Sequence, residues 1–228
     1  MQIIRTSTAN AAAEVAADHV ASRAVDAIEE NGRFVWAVSG GSTPGVFLAA
    51  LAQREQVDWE RTHLFQVDER IAATDSAERN DTMIRECFLT SRPDANYHPL
   101  PVVSESLTRA LLLHLAHLEH LTGEPAVLDL VQLGLGSDGH TASLLPHDAV
   151  LEATGDFATT GTYQGTRRVT MTAPLINRAR ERLFLVTGGA KDPALRQLTS
   201  ADPAIPATLI TPKATVLVTD RLGEGPAE

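Results

Sequence analysis

One histidine stands on a glycine-rich turn, in the run Gly134-Leu135-Gly136-Ser137-Asp138-Gly139-His140-Thr141-Ala142-Ser143-Leu144-Leu145-Pro146. Imidazole is the side chain whose ordinary pKa suits proton transfer near neutral pH. Glycines let the backbone approach a ligand closely, and a short helical stretch expected after the turn would offer unpaired N–H groups to negative charge. An acid/base group and an anion cradle within a few residues point to chemistry on a phosphorylated or acidic small molecule.

Three further blocks carry compatible chemistry. Ser39-Gly40-Gly41-Ser42-Thr43-Pro44 has the composition of a phosphate cradle, and equally that of a strand-to-helix turn with a serine cap. It lacks the Gly-Lys-Ser/Thr ending of a nucleotide loop. Asp68-Glu69-Arg70 ends an apolar run with two carboxylates and a guanidinium. These could position a water or sugar hydroxyls and an anionic oxygen, although in isolation a polar loop with a local ion pair is the better account. Arg167-Arg168-Val169-Thr170 and Lys191 supply cations beside two late strand ends.

Other patterns lead nowhere. Gly134 to Gly139 spells G-x-G-x-x-G, but Pro146 follows too soon for the long crossover helix of a dinucleotide site. No G-x-S-x-G elbow is present around Ser137, which disfavours a serine-hydrolase triad. His114, His117 and His120 recur every three residues rather than at the i, i+4 spacing of a helical zinc pair, so a solvated helix face is expected there and no metal site.

Strand-like and helix-like runs alternate along the chain and must position these groups. Strands are expected over 2–6, 34–39, 63–67, 128–133, 169–172, 183–187 and 215–219. Helices are expected over 9–30, 44–55, 80–89, 104–121 and 191–198, before a polar Gly/Pro/Glu tail. This order predicts an α/β fold: an open, mostly parallel Rossmann-like sheet with helices on both faces, a three-layer α/β/α arrangement. Ligands in such sheets bind beyond the carboxyl ends of the strands. The four blocks all fall there.

Composition bounds the rest. The 228 residues fit one domain, 1–228, with an ordinary 43% apolar content. A net charge of −10 argues against nucleic acid as a partner and requires a local positive pocket for an anionic substrate. The lone Cys87 permits no internal disulfide and is expected to be an inert thiol. No secretory pattern or membrane-spanning run is evident, so a cytoplasmic protein with no membrane partner is expected.

Together the blocks resemble the 6-phosphogluconolactonase family, within the group that includes glucosamine-6-phosphate isomerase/deaminase. They recur in family order from near residue 35 to near residue 191. The deaminase branch has Tyr after Asp-Glu and a Gly-His-Ile-Ala-Phe-Asn-Glu-Pro style third block. This chain has Arg70 after Asp-Glu, and Leu145 where the deaminase carries glutamate. The resemblance therefore implies hydrolysis of 6-phospho-D-glucono-1,5-lactone in the oxidative pentose phosphate pathway, without metal or other cofactor.

On that resemblance His140 is expected to be the general base, Asp138 to orient it or its water, amides of the glycine turn to stabilise the oxyanion, and Gly136 to be among the substrate-binding residues. Ser39, Gly40, Gly41, Ser42, Thr43, Arg168 and Lys191 hold the phosphate, while Asp68 and Arg70 line the sugar end. Two departures stand out: Arg79-Asn80 where the family often has Ser-Asn, and a segment 159–167 poorer in proline. The rival expectations are an isomerase/deaminase and a non-catalytic phosphosugar sensor. The sensor needs no His140 and is usually fused to a helix-turn-helix, for which there is no room before Phe34. A monomer or weak homo-oligomer is expected.

Overall fold

The computed structural model describes residues 1–221, the side chain of Ser42 excepted, and the Gly/Pro/Glu tail lies outside those residues. Its first half comprises β1 (Gln2–Arg5), α1 (Ala9–Asn31), β2 (Phe34–Val38), α2 (Ser42–Leu51), β3 (Thr62–Gln66), β4 (Asp68–Arg70), α3 (Asn80–Ile84) and β5 (Asn96–His98). The second half follows as α4 (Leu107–Thr122), β6 (Leu130–Leu133), β7 (Phe157–Thr159), β8 (Arg168–Met171), α5 (Ala173–Arg178), β9 (Glu181–Val186), α6 (Asp192–Thr199) and β10 (Thr215–Thr219). A π-helical turn, Arg85–Leu89, continues α3.

Seven strands form one sheet in the order β1-β10-β9-β6-β2-β3-β5, and every neighbouring pair is parallel. Strand β2 divides its two faces by simple alternation. Phe34, Trp36 and Val38 point to a core shared with α1, α2 and α3, while Val35 and Ala37 point to a core shared with α4, α5 and α6. That is the three-layer arrangement expected. The alanines of α1, Ala12 to Ala27, form its buried face. The helix starts on Thr8, whose side chain accepts from Ala11 N, and stops at Gly32 with φ 77°.

One strand is placed differently from expectation. Val169 and its neighbours do not join the main sheet; β8 pairs antiparallel with β4 and β7 in a second, three-stranded sheet. Only Val67 separates β3 from β4, so the chain passes directly from one sheet to the other. A tight turn links β7 to β8, and antiparallel pairing is what so short a connection permits.

The histidine pattern also turned out differently. His120 and His117 are exposed, but His114 is half-buried, with its ring edge-to-face on Phe65 and Phe157 at 5.3 and 5.6 Å. His63 Nδ1 lies 3.1 Å from His98 Nε2, and His98 Nδ1 lies 3.2 Å from His117 Nε2. Burial, then the neighbouring imidazoles, lowers His98 and His114 to about 4. Both are thus neutral in the fold, whereas the unfolded chain takes up their protons near pH 6.5.

The stability they contribute is present above pH 6.5 and is lost as pH falls towards 4. The slope is at most about 1.4 kcal/mol per pH unit for His114, the more buried of the two, and less for the more exposed His98. Urea midpoints at pH 7 and pH 5 should therefore differ, and His114→Phe should shrink that difference. An unchanged difference in the variant would remove His114 from the account.

Candidate active site

The chain leaves β2 towards β3 and β5 on one side, and β6 leads to β9 and β10 on the other. Order reverses between β2 and β6, and a crevice opens there at the carboxyl ends of the strands. A cleft of about 230 Å³ lies at this point, lined by Ser39, Gly40, Gly41 and Thr43 after β2, and by Gly136 and His140 after β6. Asp68, Arg70, Arg168 and Lys191 line it as well, so the four sequence blocks meet in one place. Asp138 stands behind His140, and Ser42 begins α2 with its side chain outside the described residues.

The His140 turn is built by the glycines. Gly139 has φ 82° and Ala142 φ 52°, conformations that break a helical run. The helical stretch expected after Gly134 is accordingly absent among the described residues, replaced by turns and a Thr141–Leu144 bridge. Gly136 N donates to His140 O at 2.7 Å, and Gly139 N to Gly136 O at 3.1 Å. Those two amides are spent inside the turn and are not free to meet an oxyanion. Gly136 has another use: a Cβ there would lie 2.2 Å from His140 Nδ1 and 2.5 Å from Asp138 Oδ1.

His140 Nδ1 lies 2.6 Å from Asp138 Oδ1, and Tyr163 Oη donates to Asp138 Oδ2 at 2.7 Å. A carboxylate only accepts, so Nδ1 carries a proton, and in the neutral ring Nε2 is left with its lone pair. Burial alone would raise the Asp138 pKa. The Tyr163 hydroxyl and then His140 outweigh it and hold the carboxyl below its usual value, hence ionised.

Positive charge is concentrated opposite. Arg70 and Arg168 are directly paired across β4 and β8, and Arg168 is only 5% exposed. Burial, then Arg70, lowers the Arg168 pKa. Like charges opposite one another on a sheet repel. Nε of each guanidinium is buried without a partner, an arrangement that an anion in the cleft would relieve. Ser39 instead spends its hydroxyl on Gln132 O at 3.3 Å, tying β2 to β6. Thr43 Oγ1 lies 3.0 Å from Thr187 Oγ1, at the first turn of α2.

Glu69, fully buried, is structural. Its Oε1 accepts from Arg70 N and Asn80 N, and its Oε2 from Gln66 Nε2 and Asp81 N, all at 2.8 Å. Arg79, the departure from the family pattern, is buried with Nε 3.4 Å from Glu69 Oε2. Glu69 thereby pins the start of α3 and delivers Asn80 to the cleft. Asn80 Nδ2 donates to Asp68 O at 2.8 Å, and a Cβ on Gly40 would lie 1.8 Å from its Oδ1. Ser143 Oγ donates to Asp68 Oδ2 at 2.6 Å. Sequence reasoning passed over Asn80, Ser143 and Tyr163 as site residues. Each lay in a stretch already singled out, Asn80 beside Arg79, Ser143 in the Gly134–Pro146 block and Tyr163 in the segment 159–167, but none by its side-chain chemistry.

Parallel sheet, crevice at the order reversal, paired arginines and a carboxylate-held imidazole together define a class of sugar-phosphate enzymes. A match over residues 7–219 to the family described as "Glucosamine-6-phosphate isomerases/6-phosphogluconolactonase" agrees, and the chain belongs to that family. Within it, the chain is 40% identical to a 6-phosphogluconolactonase of Synechocystis sp. over 203 residues, 85% of this chain and 84% of the relative. It is 35% identical to that of Nostoc sp. over 209 residues, 88% and 87% of the two chains. A crystal structure of a 6-phosphogluconolactonase from Shewanella baltica superposes with a TM-score of 0.83 at 26% identity, covering 96% of this chain and 97% of the other.

Proposed function

We propose that this chain hydrolyses 6-phospho-D-glucono-1,5-lactone to 6-phospho-D-gluconate, the second step of the oxidative pentose phosphate pathway, with His140 as general base. One observation carries the assignment: Asp138 fixes the proton on Nδ1 of a cleft-lining imidazole, leaving Nε2 to accept one. Nε2 takes a proton from water as the water oxygen bonds to the lactone carbonyl carbon. The tetrahedral oxyanion then collapses, the bond from that carbon to the ring oxygen breaks, and the imidazolium returns the proton to the ring oxygen. These steps as written use no metal. Turnover should therefore be insensitive to chelators.

Arg168, Lys191 and the turn into α2 (Gly40, Gly41, Ser42, Thr43) hold the phosphate, with Asp68 and Arg70 at the sugar end. Lys191→Ala should raise KM for the phosphorylated lactone by about tenfold or more with kcat little changed, as for a lost charge-assisted bond made equally in ground and transition states. Unphosphorylated glucono-1,5-lactone should not register the substitution. A fall in kcat alone would remove Lys191 from the phosphate site.

Leu145, where the deaminase branch carries its glutamate, is buried and 1% exposed. No carboxylate at that place can serve ring opening, which favours the lactonase over the isomerase/deaminase. The reading extends to a single domain over 1–228. It also takes the enzyme as cytoplasmic, a monomer or weak homo-oligomer with no nucleic-acid partner. No helix among the described residues is long and apolar enough to cross a membrane.

A further inference from the structure

Tyr163 stands beside the cleft, touching Asp138 on one side and Arg168 on the other. It begins a tight turn in which Tyr163 N donates to Thr166 O at 3.0 Å and Thr166 N returns to Tyr163 O at 3.2 Å. Gln164 and Gly165 between them have φ of 51° and 83°, as the two central residues of a type I′ hairpin require. This segment, 159–167, is the one that departs from the family pattern by its scarcity of proline.

Three contacts leave the Tyr163 side chain, one from its hydroxyl and two from its ring. Its hydroxyl donates to Asp138 Oδ2 at 2.7 Å, on the side of the carboxylate away from His140 Nδ1. Its ring meets the imidazole edge-to-face, with centroids 5.8 Å apart. The Arg168 guanidinium carbon stands 5.0 Å from the ring centroid, within reach of a cation–π contact.

We infer that Tyr163 is a positioning residue: its hydroxyl fixes the Asp138 carboxylate that holds the imidazole, and its ring backs the anion-facing Arg168. The inference rests on the assignment of His140 as base. A carboxylate bonded at one oxygen only can turn about its Cβ–Cγ bond; bonded at both, it presents one oxygen to Nδ1 in a single orientation. Burial and then Asp138 raise the Tyr163 pKa, so the hydroxyl stays protonated and able to donate. One side chain thereby ties the proton-transfer pair to the phosphate-holding arginine.

Two variants separate the hydroxyl's contact from those of the ring. Tyr163→Phe keeps the ring and removes the hydroxyl; kcat should fall about tenfold with KM within about twofold, as for the loss of one charge-assisted bond. Nitrogen-15 NMR of the imidazole, which needs no turnover, should show His140 protonated at Nδ1 in the wild type and as a mixture of tautomers in Tyr163→Phe. Tyr163→Ala also removes the ring, and should add a KM increase of about threefold to tenfold for 6-phosphogluconolactone. With glucono-1,5-lactone, which has no phosphate, Phe and Ala variants should behave alike.

Wild-type kcat and a single tautomer in Tyr163→Phe would overturn the hydroxyl's role. Equal KM for Phe and Ala on the phosphorylated lactone would overturn the ring's. An active His140→Ala enzyme would refute the base assignment instead, while the tautomer measurement would still report whether Tyr163 holds Asp138.

Discussion

Replacing His140 by alanine lowers kcat for 6-phosphogluconolactone by about 10²–10⁴-fold, the range that a positioned general base supplies, and leaves KM within about twofold. The split follows from where the side chain sits. His140 faces the cleft through an imidazole nitrogen freed by the Asp138 bond, whereas the charges proposed to bind the phosphate, Arg168 and Lys191, stand on other elements. Removing the ring therefore costs an interaction made in the transition state and spares those made in the ground state. The fold should survive, because the His140 side chain is 23% exposed and packs into no core cluster. Because six-membered lactones open spontaneously in water, the rate must be read above the uncatalysed background. Near wild-type kcat would sink the assignment, and so would a large rise in KM with kcat preserved.

The arrangement that supports this result was legible in the sequence to different depths. The apolar runs of β2, β6, β9 and β10, and the glycines that follow the first three, gave the parallel sheet and its ligand-binding edge, because strand periodicity and strand-end position are local signals. Strands β4, β5 and β7 have three residues each, too few for a period to register. The second sheet was hidden for that reason, and with it the direct pairing of Arg70 with Arg168.

Tyr163 reaches Asp138 across 25 residues of sequence through a hairpin turn, and nothing in the sequence joins the two. Asn80 enters the cleft only because the buried Glu69 accepts the first N–H groups of α3. From sequence, Glu69 was merely one of two acids in a polar triplet. His63 and His98, 35 residues apart, meet because β3 and β5 are neighbours. Local patterns gave the elements and the turn chemistry; the tertiary partners of the polar side chains gave the electrostatics.

Gly136 offers a way to disable the same imidazole without removing it. A Cβ at this position would lie 2.2 Å from His140 Nδ1, 2.4 Å from Cε1 and 2.5 Å from Asp138 Oδ1. The Gly136 backbone lies outside the left-handed region, so alanine is tolerated there, and the atoms it meets are the ends of side chains that can swing away. The fold should persist while the carboxylate–imidazole pair is forced apart.

Gly136→Ala should thus lower kcat to near the level of His140→Ala, with a melting temperature within a few degrees of wild type. Gly139→Ala is the contrast. Its φ of 82° and a Cβ 2.4 Å from Ile205 Cβ leave no unstrained solution, so there the melting temperature should drop. The double variant Gly136→Ala/His140→Ala gives the sharpest measurement. If the Gly136 methyl acts only by displacing the imidazole, the double variant is no slower than His140→Ala alone. Multiplying losses would mean that Gly136 serves the reaction through something other than His140.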